Sequence, residues 1–365
     1  MRLSATLGRY LGRHFLLSFL AVFFLLSTVA FVIDFVELLR RSASKANVTF
    51  GLVLDMSLLK LPFLASHMVV FSVLFGAMIA FFRLNRSREI MVVRAAGLSA
   101  WQFLAPILAL AFLIGAFKVT VLNPIAAATL SKFEQIEGKY LRGRSSVMAV
   151  SASGVWLRQA DLQGQSVVHA RQVSSRDMEM YDFIIFLYDL QGRFTGRIDA
   201  AKARLENGYW HLYDAWLTGP DRPAGYEREY TVRTELTAAK IQESFAAPES
   251  VAVWDLPRFI RVLERAGFSA VRHRIYFNTL IADPVLMCAM VLFAATFSLG
   301  RNPRRGGSTL VAAGALATVV VLYFLSDVVR ALGASASIPV VLAAWTPAGA
   351  STLIGMSMLL YAEER

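Results

Sequence analysis

Apolar and polar positions divide this chain on a coarse scale: six long apolar runs, three on each side of a polar block of about 150 residues. The runs cover residues 15–33, 61–82, 98–117, 275–300, 308–326 and 338–361. As helices, all are long enough to cross a hydrocarbon core about 30 Å thick, which takes about 20 residues rising 1.5 Å each. Four carry no charge; the run 275–300 contains only Asp283, and the run 61–82 only His67. A soluble core helix would be shorter and would turn a polar face to water. The pattern predicts a multi-pass membrane protein with spans arranged three and three.

The polar block changes period. Residues 154–159, 166–173, 181–188, 209–217 and 229–236 mix aromatic and β-branched residues with polar ones, and turn signals separate them at 162–165 (LQGQ), 190–193 (LQGR), 206–208 (ENG) and 218–225 (TGPDRPAG). Short strands at this spacing predict an antiparallel sandwich or open barrel. Residues 251–268 return to helical spacing, with Leu256, Phe259, Ile260 and Leu263 on one face, Pro257 in the first turn and Gly267 at the end. A second bridge, 131–140, leaves the third span. Three parts follow: 1–123 with a cytoplasmic loop helix at 86–97, 124–270 as the inserted β domain, and 271–365.

Charge settles the expected orientation. Mean hydropathy is +0.52 and the net charge is +11, a value that suits a nucleic-acid binder if it is concentrated in a folded domain. It is not: residues 124–272 hold 19 Lys and Arg against 18 Asp and Glu. The excess lies in Arg2, Arg9 and Arg13, in Arg83, Arg86, Arg88 and Arg94, and in Arg301, Arg304 and Arg305, all on one side of the membrane if every run crosses. Basic short loops mark the cytoplasmic side. Both termini are therefore expected in the cytoplasm and the central block outside, with no nucleic-acid partner. The first run is too long for a signal-peptide core and is read as a retained helix. The single cysteine, Cys288, lies inside the fourth span, so the external block folds without an intrachain disulfide.

Catalytic signatures are absent from the sequence. GxxxxGK[ST], HExxH and GxSxG do not occur, so ATP is not bound here through a P-loop and no metal or other cofactor is expected. The five histidines show no ligand spacing. His67 reads either as a cavity-lining histidine or as a proton relay, and Asp283, beside Pro284, either as a functional intramembrane charge or as a group hydrated at the outer interface. Two segments carry more signal. In 83–101, Ser87 is placed to cap a short cytoplasmic helix, with Glu89 in its first turn and Gly97 at its end. Its apolar Ile90, Met91 and Val93 lie outside the bilayer and call for a partner, or else for the protein's own helix ends. In 34–45 (DFVELLRRSASK), Arg40 and Arg41 stand at the outer end of span one, against the positive-inside tendency. Paired guanidinium groups there suit phosphate; the alternative is snorkelling and pairing with Glu37.

At these residues the chain resembles the LptF/LptG permease family of the lipopolysaccharide-export ABC transporter, nearest its LptG branch. The pieces are 9–12 (RYLG), 35–41 (FVELLRR), 89–99 (EIMVVRAAGLS), and Asp327 followed by Ile338 and Pro339. Asp34 departs from the family pattern, in which a basic residue occurs nearby. The resemblance implies an α+β membrane protein: six transmembrane helices (3+3) with an inserted periplasmic antiparallel β-jellyroll domain, in the bacterial inner membrane. It implies a permease rather than an enzyme, with ATP bound and hydrolysed by a cytoplasmic LptB-like dimer, an LptF-like permease as heterodimer partner, and an LptC-like single-span protein. The cargo is lipopolysaccharide, moved from the membrane lipid toward a periplasmic bridge. Arg40, Arg41, Lys60 and Lys132 are the candidate rim for lipid phosphate. Arg88, Glu89, Ile90, Val93, Arg94 and Gly97 are the candidate ATPase-coupling residues. The other class left open is a membrane-embedded enzyme acting on lipid or envelope precursors, using Asp283, His67 and external aromatics.

Overall fold

The structure is a computed structural model that describes residues 5–43, 45, 48–89, 91–92, 99–141, 147–151, 154–161, 164–174, 179–189, 191–206, 208–220, 222–234, 246–299, 307–335 and 337–363. The chain forms two compact units, Met1–Phe133 with Arg274–Arg365, and Glu134–His273.

The first unit is helical. Its helices are α1 (Ala5–Ser42), α2 (Phe50–Arg86) and α3 (Ala100–Phe117), then a π-helical turn (Lys118–Leu122) running into α4 (Asn123–Tyr140). After the β domain come α6 (Val271–Leu299), α7 (Gly307–Ala334) and α8 (Val340–Glu363). Five of the described helices are long and apolar enough to span a membrane; α7, with 28 residues, covers the remaining predicted run. Several helices exceed what a bilayer needs: α1, with 38 residues, is roughly 57 Å long at 1.5 Å per residue. Its ends therefore leave the hydrocarbon, which is where its charges lie.

The core is shared by α1, α2, α3 and α6 through Phe15, Phe19, Leu74, Phe81, Leu104, Ile107, Met287 and 289–295. Close backbone approach fixes two of these contacts. A Cβ on Gly76 of α2 would stand 2.7 Å from the Phe19 backbone of α1, and one on Gly115 of α3 would stand 2.5 Å from Pro284 Cα of α6. Elsewhere large apolar side chains face outward, among them Phe24, Leu25 and Ile33 on α1 and Val321 and Phe324 on α7. Such faces are stable only against lipid or other apolar helices.

In the second unit seven strands form one antiparallel sheet in sequence order: β1 (Val147–Ser151), β2 (Gly154–Asp161), β3 (Gly164–Ser174), β4 (Glu179–Tyr188), β5 (Phe194–Glu206), β6 (Tyr209–Gly219) and β7 (Arg222–Arg233). The described connectivity of this antiparallel β domain is that of a meander. Strands β1 and β5 were not anticipated. β1 is only five residues long, and β5 (FTGRIDAAKARLE) buries mainly small residues, Gly196, Ala200 and Ala203 beside Ile198. The 218–225 turn is also tighter than expected, since β6 runs to Gly219 and β7 starts at Arg222.

The buried alternation shifts by one residue along a row that crosses the sheet. Met180 and Phe183 are both buried in β4, as are Ala200 and Ala203 in β5 and Leu212 and Ala215 in β6. Asp182 and Asp214 on this row take left-handed φ values of 50° and 54°, which aspartate tolerates better than most residues. The irregularity keeps one apolar face continuous across the sheet. The short helix α5 (Leu256–Arg265) buries Leu256, Ile260 and Leu263 in the same unit, as its spacing predicts.

Candidate functional site

The four rim residues meet only in part. Arg40 sends Nε and Nη2 to the two carboxylate oxygens of Glu37 at 2.9 and 3.0 Å, and Arg41 Nε lies 3.8 Å from Glu37. These pairs are exposed and stay on α1. Lys60 of α2 is different: its ammonium donates to Asp34 Oδ1 of α1 at 2.5 Å, with the two side chains only 23% and 13% exposed. The same ammonium sits 5.3 Å from the Phe133 ring centroid on α4. Lys60 thus joins α1, α2 and α4, while Lys132, beside Phe133, is exposed. The part played by Asp34 was missed in the sequence because an acid in a cationic segment reads as a departure from the pattern, not as a partner.

A second polar group lies inside the bundle. Lys118 Nζ donates to Asp283 Oδ2 at 2.6 Å, with the side chains 13% and 7% exposed. Asp283 is therefore a buried, ion-paired residue. Lys118 begins the π-helical turn and Asp283 precedes Pro284, so two helices with disturbed hydrogen-bond ladders present the pair. Gly115, one turn earlier, seats α3 against Pro284 and brings them together. Asn123 Nδ2 donates to Tyr276 Oη at 3.0 Å nearby. A cavity of about 130 Å³ opens on these groups and on His67, Thr279, Tyr323, Ser326 and Arg330. His67 is a cavity-lining histidine whose Nδ1 lies 3.0 Å from the Phe63 carbonyl oxygen. Sequence reading named Asp283 but not its partner; comparing depth from the same end of spans three and four places Lys118 near it.

The loop after α2 departs from expectation at its first residue. Ser87 closes α2 instead of opening a new helix: its hydroxyl donates to the Arg83 and Leu84 carbonyls. Arg88, at φ 61°, turns the chain in the left-handed conformation that ends helices. The next helical hydrogen bond runs from Val92 N to the Arg88 carbonyl at 3.3 Å. Glu89 follows; burial and the neighbouring Glu89 carboxylate push the Tyr10 hydroxyl of α1 above its ordinary pKa. Met91 and Val92 are 66% and 68% exposed, an apolar surface on a loop. Ile90, Val93, Arg94 and Gly97 lie outside the described residues. Two family-like pieces far apart in sequence, RYLG and the loop, are thus neighbours in the fold.

Comparison with protein-family models matches residues 9–361 to the lipopolysaccharide export system permease LptF/LptG. The chain belongs to the LptF/LptG family. Among similar proteins, the lipopolysaccharide export system permease protein LptG of Escherichia coli (strain K12) is 21% identical over 99% of both chains. The LptG of Haemophilus influenzae is 24% identical over 81% of this chain and 82% of its own length. The match covers both units and every candidate site above. An LptF/LptG chain is a component of a lipopolysaccharide export system, and the helices described here make this one a multi-pass protein of the inner membrane. Membership also decides between the two classes left open by the sequence, in favour of a transporter component. Among the described residues no group of three or more His, Cys, Asp or Glu is placed to hold a metal.

Proposed function

We propose that this chain is the LptG-like half of an ATP-driven exporter that extracts lipopolysaccharide from the inner membrane and passes it to a periplasmic bridge toward the outer membrane. Both termini and the 86–97 loop face the cytoplasm, and the β domain stands in the periplasm. The partner permease is LptF-like. An LptB-like dimer docks on the loop and hydrolyses ATP, and an LptC-like single-span protein completes the assembly. The exposed apolar faces of α1 and α7 suit contact with lipid and with partner helices.

The observation that carries this reading is the distribution of cations on the helical unit. Lys60 stands where α1, α2 and α4 meet, Lys132 is exposed on α4, and Arg40 and Arg41 close α1. A multiply acylated, phosphorylated lipid needs apolar walls for its chains and cations at the rim for its phosphates. Exposed ion pairs such as Arg40–Glu37 contribute little net stability, so phosphate displaces Glu37 at little cost. Arg40→Glu with Arg41→Glu should lower lipopolysaccharide retention on the purified complex several-fold while the ATPase still co-purifies. Normal loading by the double reversal would reduce these arginines to interface anchors.

A further inference from the structure

Resting on the lipid-export reading above, we propose that Asp34 and Lys60 form an exchangeable ion pair that selects headgroups in which a phosphate ester carries an ammonium substituent. The other rim cations do not restrict the ligand in this way. Arg40 and Arg41 pair with Glu37 in the open, where the side chains are 46% to 76% exposed and water solvates whichever group is released. The Asp34–Lys60 pair is held between α1 and α2 at 23% and 13% exposure. One oxygen of Asp34 is already short of a partner: Oδ2 is buried and accepts no hydrogen bond among the described residues.

For a phosphate to take Lys60, the ammonium must leave Asp34. The carboxylate then stays behind, poorly hydrated, with neither oxygen compensated. Leaving one member of a buried pair unpaired is the costliest way to break it. A bare phosphate bears this penalty in full, and Asp34 repels it besides. A phosphate ester with an ammonium group exchanges partners instead: its phosphate takes the Lys60 ammonium while its own ammonium takes the Asp34 carboxylate. Charge is conserved on both sides of the exchange, and no ion is stranded. Specificity then arises from the penalty placed on the wrong ligand. Phe133, with its ring 5.3 Å from Lys60 Nζ, keeps that ammonium in place for the incoming phosphate.

Two lipids carry this chemistry: lipopolysaccharide whose lipid A phosphates are decorated with an amine, and an ethanolamine phospholipid. The test uses the purified complex with its partner subunits in nanodiscs. Retention is measured for bis-phosphorylated lipid A and for the same lipid A bearing phosphoethanolamine on its phosphates. The wild type should retain the decorated form on the order of tenfold better. Asp34→Asn should abolish that preference, chiefly by raising retention of the bare form. Excess phosphatidylethanolamine that displaces decorated lipid A from the wild type but not from Asp34→Asn assigns the pair to the phospholipid; failure to displace assigns it to the cargo. Equal retention of both lipid A forms by the wild type overturns the selectivity alone, as does an unchanged preference in Asp34→Asn. Retention of neither form overturns the export rim and this inference with it.

Discussion

At the scale of single residues, Glu89 in the loop after α2 lies beside Tyr10 at the start of α1. Both residues lie in pieces that sequence alone marks as family-like, yet nothing in their spacing pairs them, because 78 positions separate them. That position allows Glu89 two separable roles: holding Tyr10, or meeting a basic or donor-rich pocket on the ATPase. Tyr10→Phe removes the first and leaves the carboxylate free for the second. If the loop docks the ATPase, Glu89→Lys should lose co-purification and growth rescue in a depletion strain while Tyr10→Phe keeps both. Losing one charge-assisted hydrogen bond at such an interface costs on the order of 1.5–3 kcal/mol. Equal defects in the two variants would confine Glu89 to the Tyr10 contact. Ser87 teaches a related lesson: serine caps either end of a helix, and only the left-handed Arg88 decides which.

At the scale of elements, long apolar runs were legible because a bilayer imposes a minimum length and excludes charge, so all six predicted spans fall on helices. Strands were less legible. β5 hides its inward face in glycine and alanine, and the aspartate row at 182 and 214 reverses the period-two pattern midway. Helix irregularities were visible as Pro284 but not as the π turn, which has no residue signature of its own. Together the two irregularities deliver Lys118 and Asp283 to one point. Removing one partner of a buried pair costs about 3–5 kcal/mol, whereas replacing both with apolar groups is often near neutral. Lys118→Met and Asp283→Leu should each lower resistance to denaturation in detergent, and the double variant should recover most of the loss. An additive double variant would show that the two side chains act independently.

At the scale of the whole molecule, the proposed export path takes the cargo from a helical unit built for a membrane to a β domain built for water. Acyl chains need apolar surface on both parts of that path. In the β domain the continuous apolar surface is the inward sheet face that carries Val168, Phe183, Ile185, Ile198 and Trp210. Trp156, an inward candidate if strand parity is read from sequence alone, lies on the opposite face: it is 38% exposed, between the buried Val155 and Leu157, with His169 beside it at 4.3 Å between ring centroids. Ile185 and Trp210 are sealed at 1% and 0% exposure, whereas Leu187, two residues beyond Ile185 on the same face, is half-covered. A chain entering this face should therefore pass Leu187 before it reaches Ile185. Photoreactive residues at these positions in the assembled exporter, supplied with ATP, should crosslink lipopolysaccharide most strongly at Leu187, next at Ile185, and not at Trp156. Withholding ATP should lower the Leu187 signal if lipid is driven there by the partner's hydrolysis. Crosslinking at Trp156 as strong as at Leu187 would place the path on the outer face of the sheet.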